Sequence, residues 1–227
     1  MKRIVVANWK LHKTVPEAKE WLETIARGIR PAILEKMGVV VCPTTILLPE
    51  MRREISKLKI ELSLGAQDVS RFERGAYTGE VSAEQLQGWA DCVLVGHSER
   101  RRLFGETGAV IQQKLEICLK NRLVPILCFE SPDQLPVGSG HPPIVAYEPR
   151  AAIGTGQPDA PEDAQKVAHQ AKEGLGAAVS VLYGGSVNSG NVGGFISQAD
   201  IDGVLVGEAS LDPDEFLRIL EAVRRVS

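Results

Sequence analysis

The stretch that decides the fold is AYEPRAAIGTG, residues 146–156. It continues an apolar run from Ile144 to Tyr147, which we predict to be a buried strand. A carboxylate, Glu148, follows at once, and Pro149 then stops the strand because proline cannot donate to a sheet ladder. The rest consists mostly of small residues and ends in Gly-Thr-Gly, whose backbone N–H groups can approach an anion closely. We therefore expect Glu148 at the carboxyl end of a buried strand, beside a loop suited to phosphate.

The same rhythm of short β-branched runs and amphipathic helical patterns extends to both ends of the chain, which is typical of repeated βα units. Residues 131–143 break it, because they are rich in proline and glycine and lack helical periodicity. We predict an α/β fold, a (β/α)8 barrel in which the helix after strand 5 is truncated or missing, forming a single domain over residues 1–227. The predicted strands are 3–7, 39–42, 62–66, 92–96, 124–129, 144–147, 178–183 and 203–206.

Capping residues indicate where several helices begin. Thr14 with Glu17 forms a possible capping box, and Ser82 precedes a short helix. Asp159 and Glu162 are expected to cap the helix that follows strand 6.

Composition narrows the classes of function. The 227 residues are 44% hydrophobic with a formal net charge of −3, which favours neither nucleic acid nor an anionic membrane as partner. The four cysteines show no metal-ligand spacing, so we expect buried free thiols in a reducing cytoplasm. The N-terminal apolar run is too short for a signal-peptide core, and no run reaches membrane-spanning length.

Polar residues and glycines collect where the predicted strands end, which is where barrels of this class carry their active sites. Taken singly, each fits a solvated charge, a tight turn or a structural histidine. Together they predict one site with a carboxylate base, an imidazole, an amine and a phosphate-binding rim. They are Asn8 and Lys10 after strand 1, His97 after strand 4, Glu148 after strand 6, Gly184-Gly185-Ser186 after strand 7, and Gly207 after strand 8.

Other patterns in the sequence give weaker functional signals. The remaining histidines have unrelated spacings and predict no metal, and no nucleotide-binding or serine-hydrolase motif is present. The charged run from Glu99 to Arg102 is interpreted as surface or rim salt bridges.

The motifs at these strand ends resemble those of the triosephosphate isomerase family, and the resemblance covers nearly the whole chain. The matching segments are Asn8-Trp9-Lys10, residues 65–68 (GAQD), residues 75–80 (GAYTGE), residues 95–101 (VGHSERR), residues 146–156, residues 183–187 (YGGSV) and residues 202–207 (DGVLVG). The resemblance implies a TIM barrel that interconverts dihydroxyacetone phosphate and glyceraldehyde 3-phosphate in glycolysis and gluconeogenesis.

The resemblance also implies a role for each residue. Glu148 would be the base and His97 a neutral electrophile, the pairing established for this family. Lys10 would supply positive charge, with Asn8 positioning it and Glu99 orienting it. Backbone N–H groups near Gly154, Ser186, Gly207 and Glu208 would bind the phosphate. Neither a cofactor nor a metal is expected.

A homodimer is a further implication, in which Thr78 of the third loop would bond to Asn8 of the partner subunit. A bare connection after strand 5 could also expose an apolar flank and invite a higher oligomer. Ala151, Pro158 and Glu208 depart from the family pattern. Two alternatives therefore stay open: another sugar-phosphate isomerase or lyase on the same barrel, and a phosphate-binding barrel of this descent with weak or no isomerase activity.

Overall fold

The strands of this chain form a closed parallel barrel. The computed structural model describes residues 2–136, 142–149 and 158–226. The strands pair in chain order, and β1 bonds to both β2 and β8. The predicted (β/α)8 barrel is therefore confirmed. The strands are β1 (Arg3–Asn8), β2 (Met37–Cys42), β3 (Ser63–Ala66), β4 (Cys92–Val95), β5 (Val124–Phe129), β6 (Ile144–Tyr147), β7 (Ser180–Tyr183) and β8 (Gly203–Val206).

Helices follow most strands and pack against the outside of the barrel. In the described residues they are α1 (Val15–Gly28), α2 (Pro31–Lys36), α3 (Leu48–Leu58), α4 (Ala83–Leu86), α5 (Ser98–Phe104), α6 (Gly108–Lys120), α7 (Pro161–Leu175), α8 (Val192–Ile196) and α9 (Pro213–Val226). None of them is long and apolar enough to cross a membrane. The predicted capping box of Thr14 and Glu17 forms at the start of α1. The Glu17 carboxylate accepts hydrogen bonds from the Thr14 N–H and hydroxyl, at 2.7 Å each.

The cap predicted for the helix after strand 6 is wrong. Helix α7 begins at Pro161 with Ala160 as its N-cap, and no side chain bonds to the first turn at that position. The Asp159 carboxylate instead accepts a hydrogen bond from the Tyr147 hydroxyl at 3.1 Å. Glu162 lies in the first turn of α7, where its negative charge interacts favourably with the helix dipole.

Side chains alternate between the inside and the outside of the barrel, as the two-residue period of a strand requires. On β5, Ile126 and Cys128 belong to the interior cluster, while Leu127 and Phe129 belong to the outer core beneath the helices. The interior is therefore a packed core, and chemistry is confined to the strand ends.

The connection after β5 lacks an α-helix in its described part, as predicted. It holds a short 3-10 turn at Pro132–Gln134. The expectation that this leaves an exposed apolar flank is nevertheless wrong, because Leu127, Phe129 and Val145 are all at most 1% exposed.

An aromatic row helps to cover this side of the barrel. Phe129 packs on Tyr147 with ring centroids 5.7 Å apart, and Tyr147 packs on Tyr183 at 6.2 Å. Tyr183 in turn stacks on Phe195 of α8 at 3.9 Å. Among the described residues, this side of the barrel therefore offers no exposed apolar surface that would favour a higher oligomer.

A buried ion network joins α6 to the loops after β3 and β4. Lys114 is 4% exposed, and its ammonium lies 2.6 Å from Asp68 and also contacts Glu106. The Arg100 guanidinium reaches the same two carboxylates at 2.8 and 2.6 Å. Burial alone would raise the pKa of Glu106, but the bonds from Lys114 and Arg100 hold it below its usual value.

Replacing Lys114 by Met should lower the free energy of unfolding by about 1.5–3 kcal/mol, because it removes one of the two cations that pair with Asp68 and Glu106 and leaves Arg100 as the other. Urea unfolding measures this directly. The control is Lys166→Met, whose partner Asp163 is exposed, and which should leave the urea midpoint unchanged. A loss below about 1 kcal/mol in Lys114→Met would show that the network is not a structural requirement.

Candidate active site

One cavity of about 320 Å³ opens at the carboxyl ends of β1, β4, β6, β7 and β8. Its wall contains nine of the residues predicted from the sequence, which are Asn8, Lys10, His97, Glu148, Gly184, Gly185, Ser186, Gly207 and Glu208. Glu99 lies behind Lys10, in contact with it. Thr78 lies on the exposed third loop, away from the cavity wall. Gly154 lies outside the described residues, so its role stays a prediction.

Glu148 comes directly after β6 and is 1% exposed. Its Oε1 lies 3.0 Å from the His97 Nε2, and its Oε2 accepts from the Ser98 backbone N–H at 2.8 Å. A buried carboxylate needs such partners, because leaving it without hydrogen bonds is strongly unfavourable. Ser98 was not among the predicted site residues, since a backbone donor leaves no signal in the sequence.

His97 follows β4 and is the N-cap of α5. Its Nδ1 accepts the Glu99 backbone N–H at 3.2 Å, so the lone pair lies on Nδ1. The hydrogen of a neutral ring must then lie on Nε2, which is the nitrogen that faces Glu148. The geometry therefore fixes a tautomer whose N–H points into the cavity.

Lys10 adopts a left-handed backbone conformation, with φ of +50°, that is uncommon for a residue with a side chain. Its N–H bonds to Asn8 Oδ1 at 3.1 Å, and its carbonyl accepts from Gln67 at 2.8 Å. These two bonds hold the strained turn and direct the side chain toward the cavity. Gln67 belongs to the matching segment at residues 65–68, but the sequence did not predict that it holds the Lys10 backbone.

The Lys10 ammonium pairs with Glu99 at 2.7 Å. Burial would raise the pKa of Glu99, but the hydrogen bond and charge of Lys10 hold it below its usual value. A Cβ added at Gly207 would lie 3.9 Å from the Lys10 Nζ. The ammonium therefore lies beside the loop after β8, on the side of the cavity predicted to bind phosphate.

The loop after β7 approaches the site closely because it is made of glycine. A Cβ at Gly184 would come within 3.1 Å of the Glu148 Cγ, and one at Gly185 within 2.2 Å of the Tyr183 hydroxyl. The Gly184 N–H donates to the Tyr147 carbonyl at 2.7 Å, which ties this loop to the end of β6. Larger residues here would push the loop away from Glu148.

The interpretation of residues 99–102 as surface or rim salt bridges is wrong for Arg101. Its guanidinium donates to the Gly96 carbonyl at 2.7 Å and to the Cys128 carbonyl at 2.9 Å, and so joins the ends of β4 and β5. Burial lowers the pKa of Arg101. Beneath Glu148, burial and the nearby carboxylate raise the pKa of the Cys128 thiol, which keeps it neutral.

The described residues contain no cluster of three or more His, Cys, Asp or Glu side chains arranged to hold a metal ion. Their chemistry is that of a carboxylate, a neutral imidazole and an ammonium within one cavity. This set can move protons on a small anionic molecule.

The fold defines a (β/α)8 barrel, and the side chains at the carboxyl ends of its strands form a candidate proton-transfer site. Comparison with known sequences gives the family. A sequence model described as Triosephosphate isomerase matches residues 3–223. The chain belongs to the triosephosphate isomerase family and is an isomerase.

Individual relatives match over nearly their full lengths. Triosephosphate isomerase of Mesomycoplasma hyopneumoniae (strain 7448) is 36% identical, with 97% of this chain and 99% of the relative covered. The enzyme of Thermus thermophilus is 38% identical, with 97% and 98% covered. The enzyme of Aquifex aeolicus is 36% identical, with 97% and 99% covered.

The His97 tautomer can be tested in solution. We expect the hydrogen of the neutral ring to lie on Nε2, because Nδ1 accepts the Glu99 N–H. Nitrogen-15 NMR of labelled protein distinguishes the two tautomers, and His169, an exposed residue on α7, is the internal comparison. A hydrogen on Nδ1 of His97 would contradict the geometry.

Proposed function

We propose that Glu148, His97 and Lys10 carry out the reaction of the triosephosphate isomerase family, the interconversion of dihydroxyacetone phosphate and glyceraldehyde 3-phosphate. The observation that carries the assignment is the 3.0 Å contact between the Glu148 carboxylate and the His97 Nε2 in the wall of the strand-end cavity. This contact places a base and a hydrogen-bond donor within reach of the same three-carbon molecule.

In this mechanism Glu148 removes a proton from the hydroxyl-bearing carbon beside the carbonyl, and an enediolate forms. The same carboxyl group returns the proton to the former carbonyl carbon. His97 donates its Nε2 hydrogen bond to the carbonyl oxygen and moves a proton between the two oxygens. Because Glu148 holds that N–H in this structure, a bound substrate must displace the carboxylate from His97 and take its place.

Lys10 offsets the negative charge that develops on the substrate and attracts its phosphate. We assign Asn8 to hold the Lys10 backbone turn, since Asn8 Oδ1 accepts the Lys10 N–H. Glu99 orients the ammonium through their ion pair. The phosphate would bind to backbone N–H groups near Gly154, Ser186, Gly207 and Glu208, next to Lys10.

The two rival functions have no specific support. A different sugar-phosphate isomerase or lyase has no feature here that favours it over the pairing of His97 with Glu148. A phosphate-binding barrel without activity would not need the aligned contacts of Glu148 with His97 and Ser98. The family match over residues 3–223 also favours the enzyme.

Replacing Glu148 by Gln tests the base. The amide cannot accept a proton from carbon, so kcat for glyceraldehyde 3-phosphate should fall by roughly two to four powers of ten. Inhibition by inorganic phosphate should change little, because the phosphate contacts lie on other strands. Glu20→Gln, an exposed carboxylate on α1, is the matched control and should retain full activity.

Equal activity in Glu148→Gln and the parent protein would refute the base assignment. Phosphate-dependent stabilisation of the parent protein without any turnover would favour the non-enzymatic binder. A coupled assay and a thermal shift in inorganic phosphate give both readouts.

We also propose a homodimer, formed through the loops after β1 to β4. Large apolar side chains project from the segments that follow three of these strands, with Leu11 92%, Ile46 83% and Phe104, the last residue of α5, 68% exposed. The third loop closes on itself through a bond from the Ser70 N–H to the Val81 carbonyl at 2.8 Å. Thr78 lies exposed on this loop, available to a partner subunit.

Sedimentation equilibrium tests the dimer, and we expect twice the chain mass of 24.6 kDa. Ile46→Lys places a charge in the proposed interface and should weaken dimerisation at least about tenfold. Val226→Lys, an exposed apolar position at the end of α9, should leave the dimer unchanged. A single 24.6 kDa species for the parent protein at micromolar concentration would contradict the proposal.

A cytoplasmic location, with a role in glycolysis and gluconeogenesis, completes the proposal. The four cysteines are free and buried, which fits a reducing compartment.

A further inference from the structure

Asp159 lies between the ends of two strands that carry parts of the active site. Tyr147, the last residue of β6, immediately precedes Glu148, and its hydroxyl donates to Asp159 Oδ2 at 3.1 Å. Tyr183, the last residue of β7, immediately precedes the glycine loop. Its hydroxyl accepts the Asp159 backbone N–H at 2.9 Å. One residue therefore bonds to the side chains that end both strands.

The two tyrosines are neighbours in the sheet. Tyr147 pairs with Tyr183 in the register of β6 and β7, and their rings lie 6.2 Å apart. Burial, and then the Asp159 charge, raises the pKa of Tyr147, and burial raises the pKa of Tyr183 to about 12. Both hydroxyls therefore stay protonated at neutral pH, and Tyr147 remains a donor to the carboxylate.

The bond to Tyr147 is not a by-product of helix capping. An aspartate at the N-cap of a helix commonly uses its carboxylate on the first-turn N–H groups, and Asp159 lies one position before the N-cap of α7. Here α7 begins at Pro161 without a side-chain cap, and the Asp159 carboxylate reaches to the barrel instead.

Both tyrosines contact the glycine loop after β7. The Tyr183 hydroxyl lies where a Cβ at Gly185 would come within 2.2 Å, so it contacts the glycine loop directly. The Gly184 N–H donates to the Tyr147 carbonyl at 2.7 Å. Asp159 adds a second connection between these strand ends, through side chains on the outside of the barrel.

We propose that Asp159 is a positioning residue that fixes the end of β6 against the end of β7. It thereby holds Glu148 at the separation from the glycine loop that suits one triose phosphate. This inference rests on the proposed function, in which Glu148 is the base and the glycine loop contacts the phosphate. Asp159 touches neither substrate nor reacting atoms and acts through Tyr147 and Tyr183.

The test is a double-mutant cycle on kcat. Asp159→Ala and Tyr147→Phe each remove the same hydrogen bond, so each should lower kcat about five- to tenfold, and the double variant should be no worse than either single variant. KM should change less than twofold, since the phosphate contacts remain. Asp159→Asn keeps an acceptor oxygen and should recover most of kcat.

Controls separate positioning from folding. Tyr147→Phe retains the ring that packs on Phe129 and Tyr183, so it keeps the test available even if Asp159→Ala fails to fold. Asp163→Ala removes a neighbouring carboxylate that is exposed and paired with Lys166, and it should retain parental kcat. Cooperative thermal unfolding of each variant confirms that it is folded.

The outcomes distinguish this proposal from the one on which it rests. If the parent protein does not turn over triose phosphate, the proposed function fails. If it does, and Tyr147→Phe and Asp159→Ala keep parental kcat, or their effects add in the double variant, the positioning role of Asp159 is overturned. Non-additive losses in kcat with rescue by Asp159→Asn support it.

Discussion

The site depends on the contact of Glu148 with the first residues after β4. Strands β4 and β6 are not neighbours, because β5 lies between them in the barrel. The Glu148 carboxylate crosses this gap to the Ser98 N–H at 2.8 Å and the His97 Nε2 at 3.0 Å. A carboxylate that is 1% exposed is stable only with such donors. The same contact sets the direction of the imidazole and its distance from the carboxylate.

Closure of the barrel makes this contact possible. Parallel strands present all their carboxyl ends at one rim, so residues far apart in the chain share one cavity. Lys10 and Glu99 are 89 positions apart and yet form an ion pair of 2.7 Å. The alternation of strands and helices therefore predicted the meeting of these residues before any distance was known. Strand β5, for example, also kept its predicted limits.

What the sequence did not predict depends on contacts between distant residues. Helix α2 spans six residues and buries one, Ile33, which is too little for a periodic signal. Asp159 looks like a helix cap from its neighbours alone, but the Tyr147 hydroxyl takes its carboxylate. Arg101 looks like a surface charge, whereas two strand-end carbonyls bind its half-buried guanidinium. In each case a tertiary partner competes with the local pattern and determines the outcome.

The connection after β5, which holds no α-helix in its described part, shows how packing compensates for a change in local sequence. If the outward side chains of β5 faced solvent, the fold would lose about 25 cal/mol of stabilisation per Å² of apolar surface left exposed. Phe129, Tyr147, Tyr183 and Phe195 form a continuous row of rings over this region, and Phe129 remains fully buried. The hydroxyls of the two tyrosines bond to Asp159 rather than to a helix. The same row therefore covers the barrel and connects the strand ends beside the site.

Glu208 places a carboxylate in the wall of the cavity. The ammonium of Lys10 is already paired with Glu99, so Glu208 adds an uncompensated negative charge to a wall expected to face phosphate. Across about 6 Å of water, repulsion between one carboxylate and a dianion is about 1.4 kcal/mol, and salt screens it further. Backbone hydrogen bonds to a charged group contribute about 1.5–3 kcal/mol each. Two such bonds outweigh the repulsion, and because Glu208 is exposed its carboxylate keeps its hydration. At the proposed phosphate site, Glu208 should therefore weaken binding without abolishing it.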